Sequence, residues 1–354
     1  MNSSIRPIKR ALYQTAKLLG LFGVARVLTR RHLRILCYHG FAISDENQFR
    51  PGLFMDAGKF ESRMQFLKRS GCCVLPLDQA HRLLRQKKLP KYPVVITVDD
   101  GFYSTFKLAQ PVFLKYSFPA TVYVTSYYCA KETPVFRLVV QYVFWKCAKE
   151  IDLSGLGLPA PITTAPIANR EHRDRVMWQL IRFGESEIDE PARCELAAAI
   201  ASRSGIDYLQ ITQSRMMNLM THREITEMAE AGLDVQLHTH RHCLPNEKQA
   251  AQREVEQNRD YLEPLVGRKL NHLCYPSGIY SQDHWPWLQE VQIESATTCE
   301  VGLNYSDTPA LGLKRFLDGD NIEKIDFEAE LSGFSELLRR ARGLIPWGQF
   351  QRSS

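Results

Sequence analysis

The chain has 354 residues, 44% hydrophobic and 24% charged, with a formal net charge of +6. These values are ordinary for a soluble protein, and the length suffices for one large α/β domain, or for one domain with a sizeable insertion. The nine cysteines form an odd set in which Cys72 and Cys73 are adjacent. This pattern argues against a secreted disulfide framework and favours reduced thiols in a cytosolic compartment.

The amino-terminal end is basic. Its first 44 residues contain eight Lys/Arg and no acid before Asp45. Its apolar residues are too interrupted for a transmembrane span of about twenty residues, and no small-residue cleavage site marks a signal peptide. We interpret residues 1–32 as a basic amphipathic arm. It is either a helix packed on the body with a solvated basic face, or an interfacial helix drawn to anionic lipid. Nucleic acid is not expected as a partner, because the body shows no interleaving of basic and aromatic residues.

Short apolar runs alternate with helical patterns along the chain, which predicts a mostly parallel sheet covered by helices. Up to residue 126, strands are predicted at 35–38, 73–75, 94–98 and 120–125, and helices at 59–69, 78–86 and 103–116. Asp78 is a candidate cap for the second of these helices. The regular alternation then lapses over 127–213, which includes a Pro/Ala/Thr-rich piece at 159–168. Because a structureless loop of that length is improbable in a compact domain, we predict a mainly helical insertion.

The alternation resumes after the insertion. Residues 221–224, Thr-His-Arg-Glu, have the spacing of a capping box and predict a helix that ends at Gly232. Strands follow at 233–237, 273–275, 294–298 and 315–317, with a helix at 250–266. About eight strands with intervening helices favour a barrel-like sheet, formed by 33–126 and 214–330. Residues 331–354 remain as a carboxy-terminal tail.

Two acids, Asp99 and Asp100, end the apolar strand 94–98 and precede Gly101. Paired acids at the end of a buried strand are costly to desolvate unless they bind a cation or handle protons. Neighbouring strand residues point to opposite faces, so both acids can serve one pocket only where the strand gives way to a turn. Gly101 allows such a turn without steric penalty.

Histidines follow a second apolar strand, as His238-Thr239-His240-Arg241-His242. A helical turn or a tight loop would bring His238 and His242 to one side. Two imidazoles and one carboxylate suit a borderline divalent metal, above all zinc, with room left for water. A carboxylate that is not a ligand can take a proton from that water, which fits Asp99 beside Asp100.

Five blocks resemble motifs of the polysaccharide deacetylases, the NodB-homology or carbohydrate esterase family four enzymes. Residues 95–101 resemble T-F-D-D-G, and 238–242 match H-[ST]-x-x-H. Residues 274–280 are similar to the Y-P-x-G-x-Y form of the third motif. Cys37-Tyr38-His39 resembles the Y-H pair of one branch, and 119–124 resemble P-A-T-F-F-V. The resemblance covers roughly 33–126 and 216–318.

This resemblance implies a fold and an activity: an α/β fold, a distorted (β/α) barrel of the NodB-homology type, and metal-dependent removal of an acetyl group, usually from an N-acetylated amino sugar. By position, Asp100, His238 and His242 would hold the metal, Asp99 would be the general base and His39 the general acid. A backbone N–H near Ser277 would stabilise the oxyanion, within a substrate-binding segment formed by Tyr275, Pro276, Ser277 and Gly278.

The chain departs from the family pattern at three places. Val98 stands where T-F-D-D-G has its aromatic residue, which is a mild change in packing. The arginine of the R-x-P-Y form of motif three falls at Cys274, so that residue cannot orient Asp99; Arg315, in a Leu-x-Arg segment similar to L-P-R, is the candidate replacement. No histidine follows His284, so the late Leu-x-His acid of many members is absent.

The predicted function is therefore a carbohydrate N-deacetylase acting in exopolysaccharide or lipopolysaccharide biosynthesis, on a glycan or a lipid-linked sugar. Two alternatives stay open: hydrolysis of an O-acetyl group or another small amide, and a catalytically lapsed barrel that binds glycan. The basic arm suggests a cytoplasmic protein at the inner face of the membrane.

Overall fold

The computed structural model describes residues 5–147, 151–159, 162 and 170–343. Parts of the predicted arm (1–4), of the predicted insertion (148–150, 160–161 and 163–169) and of the predicted tail (344–354) lie outside the described residues. The described chain folds as a curled, parallel-stranded half-barrel surrounded by helices, which confirms the predicted fold class.

Ten strands are present in the described chain. They are β1 (Arg34–Tyr38), β2 (Gly40–Phe41), β3 (Phe54–Met55), β4 (Cys73–Val74), β5 (Pro93–Val98), β6 (Thr121–Val124), β7 (Asp234–Leu237), β8 (His272–Cys274), β9 (Ser295–Thr297) and β10 (Phe316–Leu317). Every predicted strand is found with ends shifted by about one residue, within the usual uncertainty of strand boundaries. The short strands β2 and β3, which pair with each other outside the main sheet, were not predicted.

Helices cover the sheet and extend the chain at both ends. Before β6 they are α1 (Ile5–Leu18), α2 (Leu21–Leu28), α3 (Glu46–Phe49), α4 (Ala57–Arg69), α5 (Leu77–Arg85) and α6 (Gln110–Tyr116). Between β6 and β7 they are α7 (Tyr127–Lys131), α8 (Phe136–Lys146), α9 (Arg170–Glu187), α10 (Glu190–Arg203), α11 (Tyr208–Ser214) and α12 (His222–Glu230). After β7 they are α13 (Lys248–Val266), α14 (His284–Glu290), α15 (Lys324–Ser332) and α16 (Phe334–Gly343).

The main sheet has eight parallel strands in the order β10-β1-β5-β6-β7-β8-β9, with β4 paired to β5. β10 is one edge strand of this sheet, and the segment that leads into it contacts β9 at the other edge. Leu313 bridges to Thr297 in β9, and Phe316 pairs with Leu36 in β1. The sheet therefore curls on itself, and the carboxyl ends of its strands converge on one opening.

Two predictions about helices need correction. Asp78 lies inside the first turn of α5 and is not its cap, because Pro76 occupies the cap position and no side chain caps this helix. The predicted helix at 103–116 is interrupted by a π-helical segment, Thr105–Ala109, before α6 begins. Such π segments are frequent near functional sites, and this one follows the two acids by a few residues.

The amino-terminal helices pack on the carboxy-terminal helices. Tyr13 and Phe22 are buried against Phe334 of α16, with ring centroids 5.9 and 5.1 Å from it. Lys9 forms an ion pair with Asp326, and Lys17 pairs with a glutamate of α15. Arg10 likewise pairs with Glu323, so part of the arm's positive charge faces the body.

The outward face of these helices is apolar, which corrects the expectation of a solvated basic face. Large apolar side chains there are exposed: Ile8, Leu12, Leu18, Leu19, Leu21, Val24, Val27 and Leu28. Within the described chain, no helix combines the length and apolar character needed to cross a membrane.

Candidate active site and metal centre

Asp99 and Asp100 reach the same opening because the backbone turns sharply where β5 ends. Asp100 has a φ of 70° and Gly101 a φ of 81°, so both residues are in the left-handed region. A Cβ at Gly101 would also lie 3.0 Å from the side chain of Val124 in β6. The turn therefore requires glycine at this position and presents both carboxylates to one cavity.

Asp100, His238 and His242 converge on one point. Oδ1 of Asp100 lies 3.2 Å from Nε2 of His238 and 3.3 Å from Nε2 of His242. Tetrahedral coordination with bonds of about 2 Å separates neighbouring ligand atoms by about 3.3 Å. The three donor atoms thus have the spacing of ligands that share one small cation, and the donor set fits a divalent metal.

The hydrogen bonds of His238 point its Nε2 toward this site. Nδ1 lies 2.8 Å from the carbonyl oxygen of Cys274, and the backbone N–H donates to Oδ1 of Asn258 at 2.9 Å. Asn258 in turn donates to the carbonyl of Val124 at 3.0 Å. A ring nitrogen bonded to a carbonyl fixes the orientation of the imidazole and leaves the other nitrogen for a metal.

The histidine loop carries backbone strain. Thr239 has a φ of 63° and His242 a φ of 56°, and Ser277 across the opening has a φ of 56°. Residues other than glycine rarely adopt such angles, which cost about 1–3 kcal/mol each and cluster at functional sites. The strain places His242 beside His238, with ring centroids 4.9 Å apart.

Asp99 forms a buried ion pair with Arg315. Nη1 and Nη2 of Arg315 donate to the two carboxylate oxygens at 2.7 and 2.8 Å, and Arg315 is fully buried. Burial by itself would raise the pKa of Asp99, but the charge and hydrogen bonds of Arg315 outweigh it and hold that pKa well below its usual range. Arg315, the candidate replacement for the arginine of motif three, is thus in a position to orient Asp99.

Further groups surround Asp99. The thiols of Cys37 and Cys274 donate to its Oδ2 at 3.5 and 3.3 Å. Nε2 of His39 lies 3.7 Å from the same oxygen, and His39 is only part-buried at the cavity wall. The predicted acid and base candidates therefore lie side by side. The two thiols were not predicted as neighbours, because nothing in the spacing of cysteines 237 positions apart indicates contact.

The third-motif segment contributes two residues to the cavity wall. Tyr275 and Ser277 line the cavity, whereas Pro276 and Gly278 are not among its lining residues. Tyr275 is fixed by a hydrogen bond from its hydroxyl to the carbonyl of Leu311 at 2.9 Å, and its ring stacks on Tyr280. A Cβ at Gly278 would lie 2.6 Å from Cβ of Cys299, so close packing requires glycine there.

The cavity that holds these groups has a volume of about 600 Å³ and continues beyond the barrel. Helices between β6 and β7 contribute Arg137 and Leu138 (α8), Glu185 (α9) and Arg193 (α10) to its wall. Sequence reasoning did not identify these residues, because charged positions on helices are usually solvated. A cavity of this size suits a small-molecule ligand.

Comparison with known proteins finds polysaccharide deacetylases. Residues 208–296, which include the histidine motif and the third motif, match the family model described as polysaccharide deacetylase. A stretch of 93 residues, 26% of the chain, is 36% identical to "Putative polysaccharide deacetylase YxkH" of Bacillus subtilis (strain 168). The match spans 31% of the length of that relative.

Solved structures agree on the fold. The Streptococcus pyogenes deacetylase PplD in complex with acetate is similar over 86% of this chain and 99% of its own, with a TM-score of 0.56 and 18% identity. IcaB from Ammonifex degensii is similar over 86% and 97%, with a TM-score of 0.52 and 16% identity. The resemblance to the polysaccharide deacetylases is thereby confirmed for the chain, with a matching family domain and a matching fold.

Proposed function

We propose that this protein is a metal-dependent deacetylase that hydrolyses the acetyl amide of an N-acetylated amino sugar, in a glycan or a glycolipid intermediate. One observation carries the proposal: the Asp99 carboxylate, held by Arg315, faces the same cavity as the Asp100, His238 and His242 triad. A carboxylate outside the ligand set is what hydrolysis requires and what simple metal binding does not.

The metal proposed for the triad is zinc, because two imidazoles and one carboxylate with a free position are a typical catalytic zinc set. When bound, such an ion acidifies water and polarises an acyl oxygen. Asp100, His238 and His242 would hold the ion, and the carbonyl of Cys274 would keep the His238 ring in place.

The remaining residues are assigned to proton transfer and charge stabilisation. Asp99 accepts a proton from the attacking water, and the water oxygen bonds to the carbonyl carbon of the acetyl group. Arg315 keeps the Asp99 carboxylate ionised before this step. The C–N bond then breaks, and His39 protonates the leaving amine, which yields acetate and the free amino sugar. The backbone N–H near Ser277 faces the oxyanion of the tetrahedral stage.

The test is acetate release from N-acetylated sugars by purified protein supplied with zinc. Asp99→Asn should lower kcat by about 10²–10⁴-fold, since it removes a general base while keeping the side-chain shape. Asp283→Asn, an exposed residue without a side-chain cap bond, serves as the matched control and should retain activity. Acetate release that persists unchanged in Asp99→Asn would contradict the assignment. Parallel O-acetyl substrates separate amide from ester hydrolysis.

We further propose peripheral contact with the inner face of the membrane, for a protein in the cytoplasm. The support is the outward apolar surface of α1, α2 and the turn between them. Ile8 is 72% exposed there and Leu19 70% exposed, next to exposed Arg30 and Arg31. Apolar side chains beside cations suit the interface of an anionic bilayer.

Flotation with phosphatidylglycerol-containing vesicles tests this contact. The double substitution Leu12→Ser with Leu19→Ser should abolish flotation, whereas Leu209→Ser, at an equally exposed leucine on α11, should not. Equal flotation of all three proteins, or none with the unaltered chain, would end the membrane proposal.

A further inference from the structure

Arg50 lines the same cavity as the metal triad and is half-buried. It follows α3 directly, and its backbone is held on both sides. Its N–H donates to the carbonyl of Glu46 at 2.8 Å, and its carbonyl accepts the N–H groups of Leu53 and Phe54 at 2.9 and 2.8 Å. The position of Arg50 at the cavity wall is therefore fixed by the fold and is not that of a loose surface arginine.

The acids nearest to Arg50 in the chain are already engaged. Glu46 is fully buried and accepts the backbone N–H groups of Ile43 and Ser44. Asp45 accepts hydrogen bonds from Tyr142 and Lys146 at 2.7 and 2.8 Å. Among the residues that the structure describes, no carboxylate forms an ion pair with Arg50.

The other arginines of the cavity wall all have acidic partners. Arg137 pairs in a bidentate manner with Glu185, Arg193 with Glu190, and Arg241 with Glu254. Arg50 differs from them, because its charged neighbour is another cation. Burial and the nearby Arg137 guanidinium lower the pKa of Arg50 from its usual value.

A guanidinium that is partly desolvated and faces a like charge is destabilised until an anion pairs with it. Its five donors in a planar fork match the oxygens of a carboxylate or a phosphate, and it keeps its charge at any physiological pH. The ring of Phe49, 5.8 Å away, does not neutralise it.

We propose that Arg50 is a specificity-determining residue that binds an anionic group, a carboxylate or a phosphate, carried by the acetylated sugar or by the unit attached to it. This inference rests on the proposed function, since it assumes that the sugar occupies the cavity beside the triad. It narrows the substrate class from acetylated amino sugars in general to those with an adjacent negative charge.

The test compares three ligands: neutral N,N′-diacetylchitobiose, a disaccharide of N-acetylglucosamine and glucuronic acid, and N-acetylglucosamine 1-phosphate. Acetate release gives kcat/KM for each, and calorimetry gives the affinity of each for the zinc-loaded protein. The unaltered protein should prefer at least one anionic ligand, and which one it prefers separates carboxylate from phosphate.

Arg50→Gln should lower the ratio of anionic to neutral kcat/KM about tenfold or more, because a charge-assisted bidentate contact is lost. Arg50→Lys should keep part of the ratio. Arg223→Gln, which removes an exposed arginine of α12 with its own partner Glu227, should leave the ratio unchanged. Thermal melting of Arg50→Gln shows whether the fold is retained.

The inference is overturned if the unaltered protein shows no preference for either anionic ligand, or if Arg50→Gln keeps that preference. If instead the proposed deacetylase function is wrong, none of the three ligands releases acetate. Calorimetry still measures in that case whether Arg50 selects the anionic ligands.

Discussion

Arg315 and Asp99 are the most consequential pair of side chains in the site. Both side chains are buried. Nη1 and Nη2 of Arg315 each donate a short hydrogen bond to one carboxylate oxygen of Asp99. Arg315 also donates to the carbonyl of Thr298 at 2.9 Å and to Oγ1 of Thr97 at 3.2 Å. Removal of a partner from such a pair leaves a charge in a medium that solvates it poorly.

Arg315→Met should lower the free energy of unfolding by about 3–5 kcal/mol, measured by urea denaturation, because Asp99 is left buried and unpaired. Arg223→Met is the matched control. Nε of Arg223 donates to Glu227 at 2.7 Å, and the two side chains are 82% and 40% exposed. Loss of such an exposed pair costs about 1 kcal/mol or less. Equal losses in the two variants would contradict the role of burial.

The residue types of the centre were predictable because each follows a readable strand. Asp100, His238 and His242 come together as their motifs imply, and Arg315 lies at Asp99 as its segment implied. Arg50 was not predicted as a site residue. Its proposed role depends on its having no acidic partner among the described residues, and no sequence pattern indicates which ion pairs a fold will form. The thiols around Asp99 were missed for a similar reason, as only folding brings Cys37 near Cys274.

At the scale of elements, α12 positions the strand that delivers the histidines. Thr221 caps this helix by accepting the N–H of Glu224, and the Glu224 side chain accepts the N–H of Thr221 in return at 2.8 Å. Arg215 holds the same glutamate, which ties the cap to the end of α11. The amino-terminal end of α12, the helix that precedes β7, is thus anchored to the end of α11.

Thr221→Ala should lower the free energy of unfolding by about 1 kcal/mol, the typical value of a lost side-chain cap. Thr226→Ala is the control on the same helix, where the hydroxyl only bonds back to the carbonyl of His222. That second substitution should be neutral, since a mid-helix alanine favours the helix. A comparable loss in both variants would show that the capping box has no special effect.

The amino-terminal helices show where periodicity alone misleads. The amphipathic pattern predicted one basic and one apolar face, but the side toward the body carries both lysines and the buried rings of Tyr13 and Phe22. Which face meets the body depends on the acids of α15, Asp326 among them, that attract the lysines inward. Those acids lie some three hundred positions downstream, so the sequence pattern of the arm could not reveal the orientation.

At the scale of the whole molecule, the fold was predictable because the strands of a parallel sheet are short apolar runs in the sequence, separated by helical patterns. Two features were not predictable: the curl of the sheet, and the contribution of the insertion helices to the cavity wall. Both depend on contacts between segments far apart in the sequence. Phe316 pairs with Leu36 in the curled sheet, and Arg137 of α8 lies in the same cavity wall as His238. The convergence of strand ends on one opening is what turns separate motifs into a site.

The central claim is that Asp100, His238 and His242 hold one divalent ion, and metal stoichiometry tests it most directly. Purified protein loaded with zinc and then dialysed should retain one ion per chain by elemental analysis. His238→Ala and His242→Ala should lose it. His240→Ala should retain it, because His240 lies between the two but bonds to Ser126 at 2.9 Å and is outside the triad. No retained metal in the unaltered protein, or equal retention in His238→Ala, would contradict the account.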